Sequence, residues 1–181
     1  RGVLAMLNNN LLERYSRQIL LPQINFAGQE KLRQASVLIV GCGGLGSMVA
    51  LFLAGAGVGK LTLVDADRVE LSNLHRQLAF RESDVDLPKV QALKHQLLSL
   101  NSEITVISAL RRFGDDAESD AELLRDMDIV IDATDNLVSR YAIERSTRNT
   151  QKPWIMGAAT RLHGQVAAFS QSRAEGCYQC L

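Results

Sequence analysis

The chain has 181 residues, 46% hydrophobic and 22% charged, which is ordinary globular usage and enough to bury about 70% of the unfolded surface in one core. Lysine plus arginine and aspartate plus glutamate each total 20, so the chain has no overall electrostatic footprint for nucleic acid or an anionic membrane. No apolar run approaches the roughly 20 residues of a bilayer span, no signal-peptide order opens the chain, and three cysteines make no disulfide framework, so a cytoplasmic enzyme or binder is expected.

Residues 8–34 are polar and helix-compatible. Pro22 breaks "LLERYSRQILLPQ" and "GQEKLRQ" follows Gly28, which predicts two short helices as an N-terminal arm. "VLIV" (37–40) is a β-branched apolar run, as expected of a strand buried on both faces in a parallel sheet. From about Leu45 to Ala56 the pattern predicts a helix, apolar nearly all round and therefore expected to be buried, with Gly57 as its stop. "KLTLVDAD" is the second strand, "PKVQALKHQLLSLN" an amphipathic helix with Pro88 near its first turn, "ITVISA" the third strand and "DAELLRD" a helix. "MDIVIDATD" is the fourth strand, "LVSRYAIERSTRNT" a helix and "WIMGAA" the fifth strand; "GQVAAFS" reads as a further, antiparallel strand. Strands separated by helices imply right-handed βαβ units, hence an α/β, Rossmann-like, mainly parallel sheet with flanking helices. The expected organisation is a single nucleotide-binding domain over 1–181. It comprises the arm, a core over 36–150, and a C-terminal portion over 151–181 that begins an antiparallel, zinc-binding part and stops after its CxxC.

"GCGGLG" (Gly41–Gly46) lies between a predicted strand and a predicted helix, the context that gives a GxGxxG weight. Gly41 permits the tight turn, Gly43 lets backbone approach a phosphate, and Gly46 permits close helix–sheet packing, with the helix N-terminus facing the anion. Asp65 ends the second strand, where a carboxylate accepts from ribose hydroxyls. An adenosine-containing ligand follows, with NAD and ATP both open. Beyond Asp65 and Asp67, the loop "SNLHRQ" offers Ser72, the amide of Asn73 and the guanidinium of Arg76, and Lys89 opens the next helix. Two cations suit a triphosphate better than a diphosphate, although each alone reads as a solvated surface residue. "DATDN" places Asp132, Asp135 and Asn136 at the end of the fourth strand, where open parallel sheets bind ligands. Asp135 suits Mg²⁺, and a helix N-cap supplied by Asp or Asn is an equal reading. Arg17 by itself is an exposed helical arginine. His75, His95 and His163 lack metal-ligand spacing. Cys42 sits near a helix N-terminus, but small residues are required there, so it is not assigned as a nucleophile. Cys177 and Cys180 supply two of the four ligands that a structural zinc takes.

The segments "RYSRQILL", "VLIVGCGGLGS", "LAGAGVG", "LTLVDAD", "SNLHRQ", "PKV", "DATDN", "GQV" and "GCYQCL", in this order from Arg14 to Leu181, resemble the MoeB/ThiF family, the bacterial relatives of ubiquitin-activating enzymes. The resemblance implies that the C-terminal Gly-Gly carboxylate of a ubiquitin-like sulfur-carrier protein attacks the α-phosphate of ATP and releases pyrophosphate, in thiamine, molybdopterin or related sulfur-transfer biosynthesis. By the family pattern Gly44, Asp65, Asn73, Arg76 and Lys89 contact ATP, and Asp135 supports Mg²⁺ and catalysis. Arg17 reaches across a homodimer to the partner's phosphates, and a second CxxC completes a zinc site with Cys177 and Cys180. His75, where relatives often carry Gln, is a minor departure. A carboxylate nucleophile is ionised at neutral pH, so the lack of a Ser/His/Asp or Cys/His constellation fits. Three other readings remain: adenylation of a peptide or a modified tRNA, the latter disfavoured by the balanced charge; a non-catalytic nucleotide-binding module; and an NAD-dependent oxidoreductase, which leaves Arg17, Arg76 and Lys89 unexplained.

Overall fold

The computed structural model describes residues 9–171 and 177–180. Residue 8 of the predicted arm, and Gly176 and Leu181 of the C-terminal motif, lie outside the described residues. Helices α1 (Asn9–Ile19) and α2 (Asn25–Gln34) form the arm. They are followed by β1 (Ser36–Val40), α3 (Gly44–Ala56), β2 (Lys60–Asp65), α4 (Lys89–Leu100), β3 (Thr105–Leu110) and α5 (Ala117–Arg125). The chain continues through β4 (Ile129–Asp132), α6 (Leu137–Thr150), β5 (Trp154–Thr160) and β6 (His163–Phe169).

One sheet has the order β3-β2-β1-β4-β5-β6, parallel except for β6, which pairs antiparallel with β5. The apolar runs are continuous because the central strands are covered on both sides. Val37, Ile39, Leu61, Leu63 and Val106 pack with Ala50 and Ala54 of α3 and with Leu93 and Leu97 of α4. On the other face Leu38, Val40, Val64, Val130 and Met156 pack with Leu124 of α5 and Ile143 of α6. Strand order reverses between β1 and β4, so the loops leaving these two strands flank the switch-point crevice where such sheets take ligands. No described helix is long and apolar enough to cross a membrane.

Helix α3 departs from the sequence expectation of full burial. One face is open: Leu45 is 41% and Phe52 72% exposed, with Met48 and Val49 half-buried between them. Composition alone does not distinguish a face that meets the sheet from one that the rest of the fold leaves bare. The sheet and α4 take up only the flank carrying Ser47, Ala50 and Ala54.

The arm is fastened at the C-terminal ends of α3 and α4. Gly57 ends α3 in the left-handed region (φ 84°), and a Cβ there would lie 2.5 Å from the Tyr15 ring. Asn101 Nδ2 donates to the Tyr15 hydroxyl and to the Ala54 carbonyl, each at 2.8 Å. Arg14 Nη1 donates to the Leu100 carbonyl at 3.0 Å, a cation at the negative end of α4. Asn101 is fully buried, so Asn101→Ala strands two buried polar partners and should cost about 1–3 kcal/mol. Urea denaturation measures the loss, and a change under about 0.5 kcal/mol would show that water replaces the amide.

Candidate functional site

At the end of β1 the chain turns through Gly41 in the left-handed region (φ 91°), where a Cβ would lie 2.7 Å from the Ala133 carbonyl oxygen. A Cβ on Gly46 would sit 1.8 Å from the Gly41 carbonyl oxygen. These two glycines are required by the chain's own packing. Gly43 and Gly44 are different. A Cβ on Gly43 would meet only Gln77 Nε2, at 3.7 Å, and one on Gly44 only Arg76, at 3.7 Å or more. The space above them is open, which suits the approach of a ligand. Gly43 supplies no side-chain cap, so the positive end of α3 faces that space.

The Asp65 carboxylate bridges the glycine loop and the turn after β2. Oδ2 accepts from the Cys42 amide and Oδ1 from the Asp67 amide, both at 2.7 Å. A carboxylate has about four lone-pair sites, so these two bonds leave acceptor capacity for the predicted ribose contact. Lys89 opens α4, only 7% exposed, with Nζ 2.9 Å from Asp67 Oδ2. A cation at a helix N-terminus works against the dipole, and Asp67 offsets this. Across the crevice a 3₁₀ turn, Leu71–Asn73, buries Asn73. Its Oδ1 accepts from the Glu70 amide at 3.3 Å, and its Nδ2 donates to Ser72 Oγ, also at 3.3 Å. Ser72 Oγ in turn donates to Glu70 Oε2 at 3.0 Å. Arg76 is exposed, with Nη1 donating to the Ser72 carbonyl at 3.2 Å, and its stem passes beside Gly44.

Gln77 is a site residue that the sequence reading did not assign. It is 3% exposed, its Nε2 faces Gly43, and its buried Oε1 has no hydrogen-bond partner. Its place immediately after Arg76 in the loop was the only available signal.

The β4–α6 loop supplies the other wall. Asp132 is fully buried; Oδ1 accepts from the Thr134 amide (2.9 Å) and hydroxyl (2.6 Å), and Oδ2 from Arg140 Nε (3.2 Å). Burial pushes the Asp132 carboxyl above the usual carboxylate range, against the pull of Thr134 and Arg140. Of the two readings for the helix cap, Asn136 fills the role: its Oδ1 accepts from the Ser139 amide at 2.9 Å. Asp135 is left exposed beside it, 3.4 Å from Asn136 Nδ2. The structure thus gathers Gly43, Gly44, Asp65, Asp67, Arg76 and Lys89 around the loops of one crevice, with Asp135 and Asn136 at the neighbouring strand end.

A model of the ThiF family matches residues 15–181. The chain belongs to the ThiF family. It is 44% identical over 181 residues to the adenylyltransferase and sulfurtransferase MOCS3 of Culex quinquefasciatus, covering 100% of this chain and 41% of that protein. It is 42% identical over 175 residues to the sulfur carrier protein ThiS adenylyltransferase of Escherichia coli, covering 97% of this chain and 69% of that one. Among solved structures, E. coli MccB with ATP superimposes with a TM-score of 0.81 at 30% identity, covering 99% of this chain and 53% of that chain. The chain therefore spans less than half the length of the MOCS3 relative.

One predicted residue of this ThiF-family chain lies away from the crevice. Arg17 is on the exposed side of α1. Its neighbour Tyr15 packs on Gly57, at the far end of α3 from the glycine loop, and 13 helical residues span about 20 Å. One chain alone does not bring Arg17 to the loop. Cys177 is half-buried and enters the short turn Tyr178–Cys180. No cluster of three or more metal-capable side chains occurs among the described residues, and the side chain of Cys180 lies outside them. Cys42 is fully buried, and burial, with Asp65 adding to it, pushes its thiol well up, so packing is its role. His75, His95 and His163 are all exposed.

Proposed function

We propose that this protein, acting in the cytoplasm, adenylates the C-terminal carboxylate of a ubiquitin-like sulfur-carrier protein. The observation that carries the reading is the open approach to Gly43 and Gly44, which packing does not require to be glycines, under two cationic side chains and beside a strand-end carboxylate. The α3 amides would take phosphate oxygens, Asp65 the ribose, and Arg76 and Lys89 the charge on the phosphates, with Asp67, Ser72, Asn73 and Asn136 lining the nucleotide. Lys89 would leave Asp67 for a stronger anion. The carrier's ionised carboxylate oxygen bonds to the α-phosphorus, the α–β anhydride bond breaks, and pyrophosphate leaves with that electron pair. No general base is needed. Catalysis is then positioning and electrostatic stabilisation.

Mg²⁺ takes one or two carboxylates plus phosphate oxygens, and exposed Asp135 fits that donor set; the ion would supply further neutralisation of phosphate charge. The names of the relatives support the choice of acceptor: one is a ThiS adenylyltransferase, and the other combines adenylyltransferase with sulfurtransferase.

The apolar stripe Leu45–Phe52 supports a homodimer. If two copies pack α3 against α3 across a twofold axis perpendicular to the helices, the C-terminal end of one, carrying the arm and Arg17, faces the glycine loop of the other. Each site would then be completed by the partner copy.

Pyrophosphate–ATP exchange, measured with Mg²⁺ across carriers ending in Gly-Gly, tests the reading. Exchange should depend on one carrier and fall at least about 100-fold in Asp135→Ala. ATP binding without exchange for any carrier would move the assignment to another acceptor or to a non-catalytic module.

A further inference from the structure

Arg140 carries no role in the chemistry above, yet every nitrogen of its guanidinium is used. It is 8% exposed; Nε donates to Asp132 Oδ2 at 3.2 Å, Nη2 to the Thr134 carbonyl at 2.7 Å and Nη1 to the Tyr178 hydroxyl at 3.3 Å. Its guanidinium carbon also lies 5.6 Å from the Tyr178 ring centroid, within cation–π range. Two of these bonds grip the β4–α6 loop on both sides of Ala133, the residue whose carbonyl closes on Gly41. The third leads to the turn between the two C-terminal cysteines.

Tyr178 is itself held firmly. It packs edge-on against Tyr141, Trp154 and Phe169, at centroid distances of 5.7, 6.1 and 6.4 Å. Trp154 and Phe169 stack at 4.5 Å as cross-strand partners of β5 and β6. One face of Arg140 is therefore set by the aromatic core and the other by the loop that ends in Asp135 and Asn136.

We propose that Arg140 and Tyr178 are a positioning pair, through which the Cys177–Cys180 turn sets the placement of the 132–136 loop and hence of Asp135. This rests on the adenylation reading for its kinetic consequence. Neither residue touches substrate. A buried ion pair between Arg140 and Asp132 is the simpler alternative, and it would not need Tyr178. Lysine at position 140 would keep a charge near Asp132 but not the three-way fork. Phenylalanine at 178 would keep the ring contacts and remove only the hydroxyl.

Tyr178→Phe should lower kcat for pyrophosphate exchange about tenfold while the KM for ATP stays within about twofold, because misplacement of the loop is felt in the transition state more than in nucleotide binding. Arg140→Lys should behave likewise, and its charge-removing counterpart Arg140→Met should not be rescued. Hydrogen exchange provides a readout besides activity: amides 133–136 should exchange about tenfold faster in Tyr178→Phe at unchanged global stability. Unchanged kcat and unchanged protection in Tyr178→Phe would overturn the pair and leave Arg140–Asp132 as a structural bridge. If no carrier supports exchange in the unsubstituted protein, the adenylation reading fails, and the amide protection decides the pair by itself.

Discussion

Gly46→Ala is expected to lose ATP binding and melting temperature together. The added Cβ would lie 1.8 Å from the Gly41 carbonyl oxygen and 3.1 Å from the Ala133 Cβ. Backbone on one side and a packed loop on the other leave no flexible side chain to give way, so α3 must shift from β1. Overpacking of this kind costs roughly 1–3 kcal/mol, and more where backbone has to move. For a chain of this size each kcal/mol is worth about 2–4 °C, which gives an expected fall of about 5 °C or more. The same shift turns the α3 amides away from the phosphate position. Gly43→Ala is the informative contrast, since its Cβ meets only the end of Gln77 at 3.7 Å. That variant should melt like the unsubstituted protein and still bind ATP at least about tenfold more weakly, because the methyl group occupies the phosphate approach. Calorimetric ATP titration with differential scanning calorimetry separates the two effects. Undiminished ATP binding in Gly43→Ala would mean that the phosphates lie elsewhere.

Element type was legible wherever the hydrophobic period and the terminal residues agreed. The helix read from "LVSRYAIERSTRNT" coincides with α6, and the run in β1 announced burial on both faces. A ligand site at the strand ends followed from strand–helix alternation together with the position of "GCGGLG", whereas the strand order that puts a switch point there is known only from the structure. What escaped the sequence depends on contacts that do not repeat along the chain. Arg140 and Tyr178 are 38 residues apart and meet only because α6 and the C-terminal turn pack on the same aromatic group. Gln77 was hidden because glutamine in a polar loop carries no periodic signal, and its burial depends on the glycine loop opposite. Asp135 and Asn136 were interchangeable as caps until geometry gave the cap to Asn136 and left Asp135 facing solvent. The apolar composition of α3 is plain in the sequence, but which of its faces the fold covers is not, and the structure leaves Leu45 and Phe52 exposed.

Arg17→Ala is expected to lower adenylation about 10²–10³-fold, the usual cost of removing a preorganised charge from a transition state. The fold should be unaffected, because Arg17 is exposed on α1 while Leu11, Tyr15 and Ile19 secure the arm. The loss alone would not show how the side chain acts, since the same chain places it at the opposite end of α3 from the glycine loop. Mixing variants does show it. In a mixed dimer of Arg17→Ala with Lys89→Ala, one site has Lys89 from the first chain and Arg17 from the second, while the other site lacks both. Random mixing makes about half of the dimers mixed, each with one intact site, so about a quarter of the activity should return although each variant alone is inactive. An Arg17 that served its own chain could not be complemented in this way, because every glycine loop would then lack either its Arg17 or its Lys89. Recovery of activity would therefore establish at once that the protein is a dimer and that α1 of one copy completes the nucleotide site of the other. Sedimentation of a Phe52→Glu variant supplies the matching physical test. A charge at Phe52, the most exposed position of the open stripe of α3, should dissociate the dimer and abolish adenylation together, as expected if the apolar face and the arginine belong to one interface.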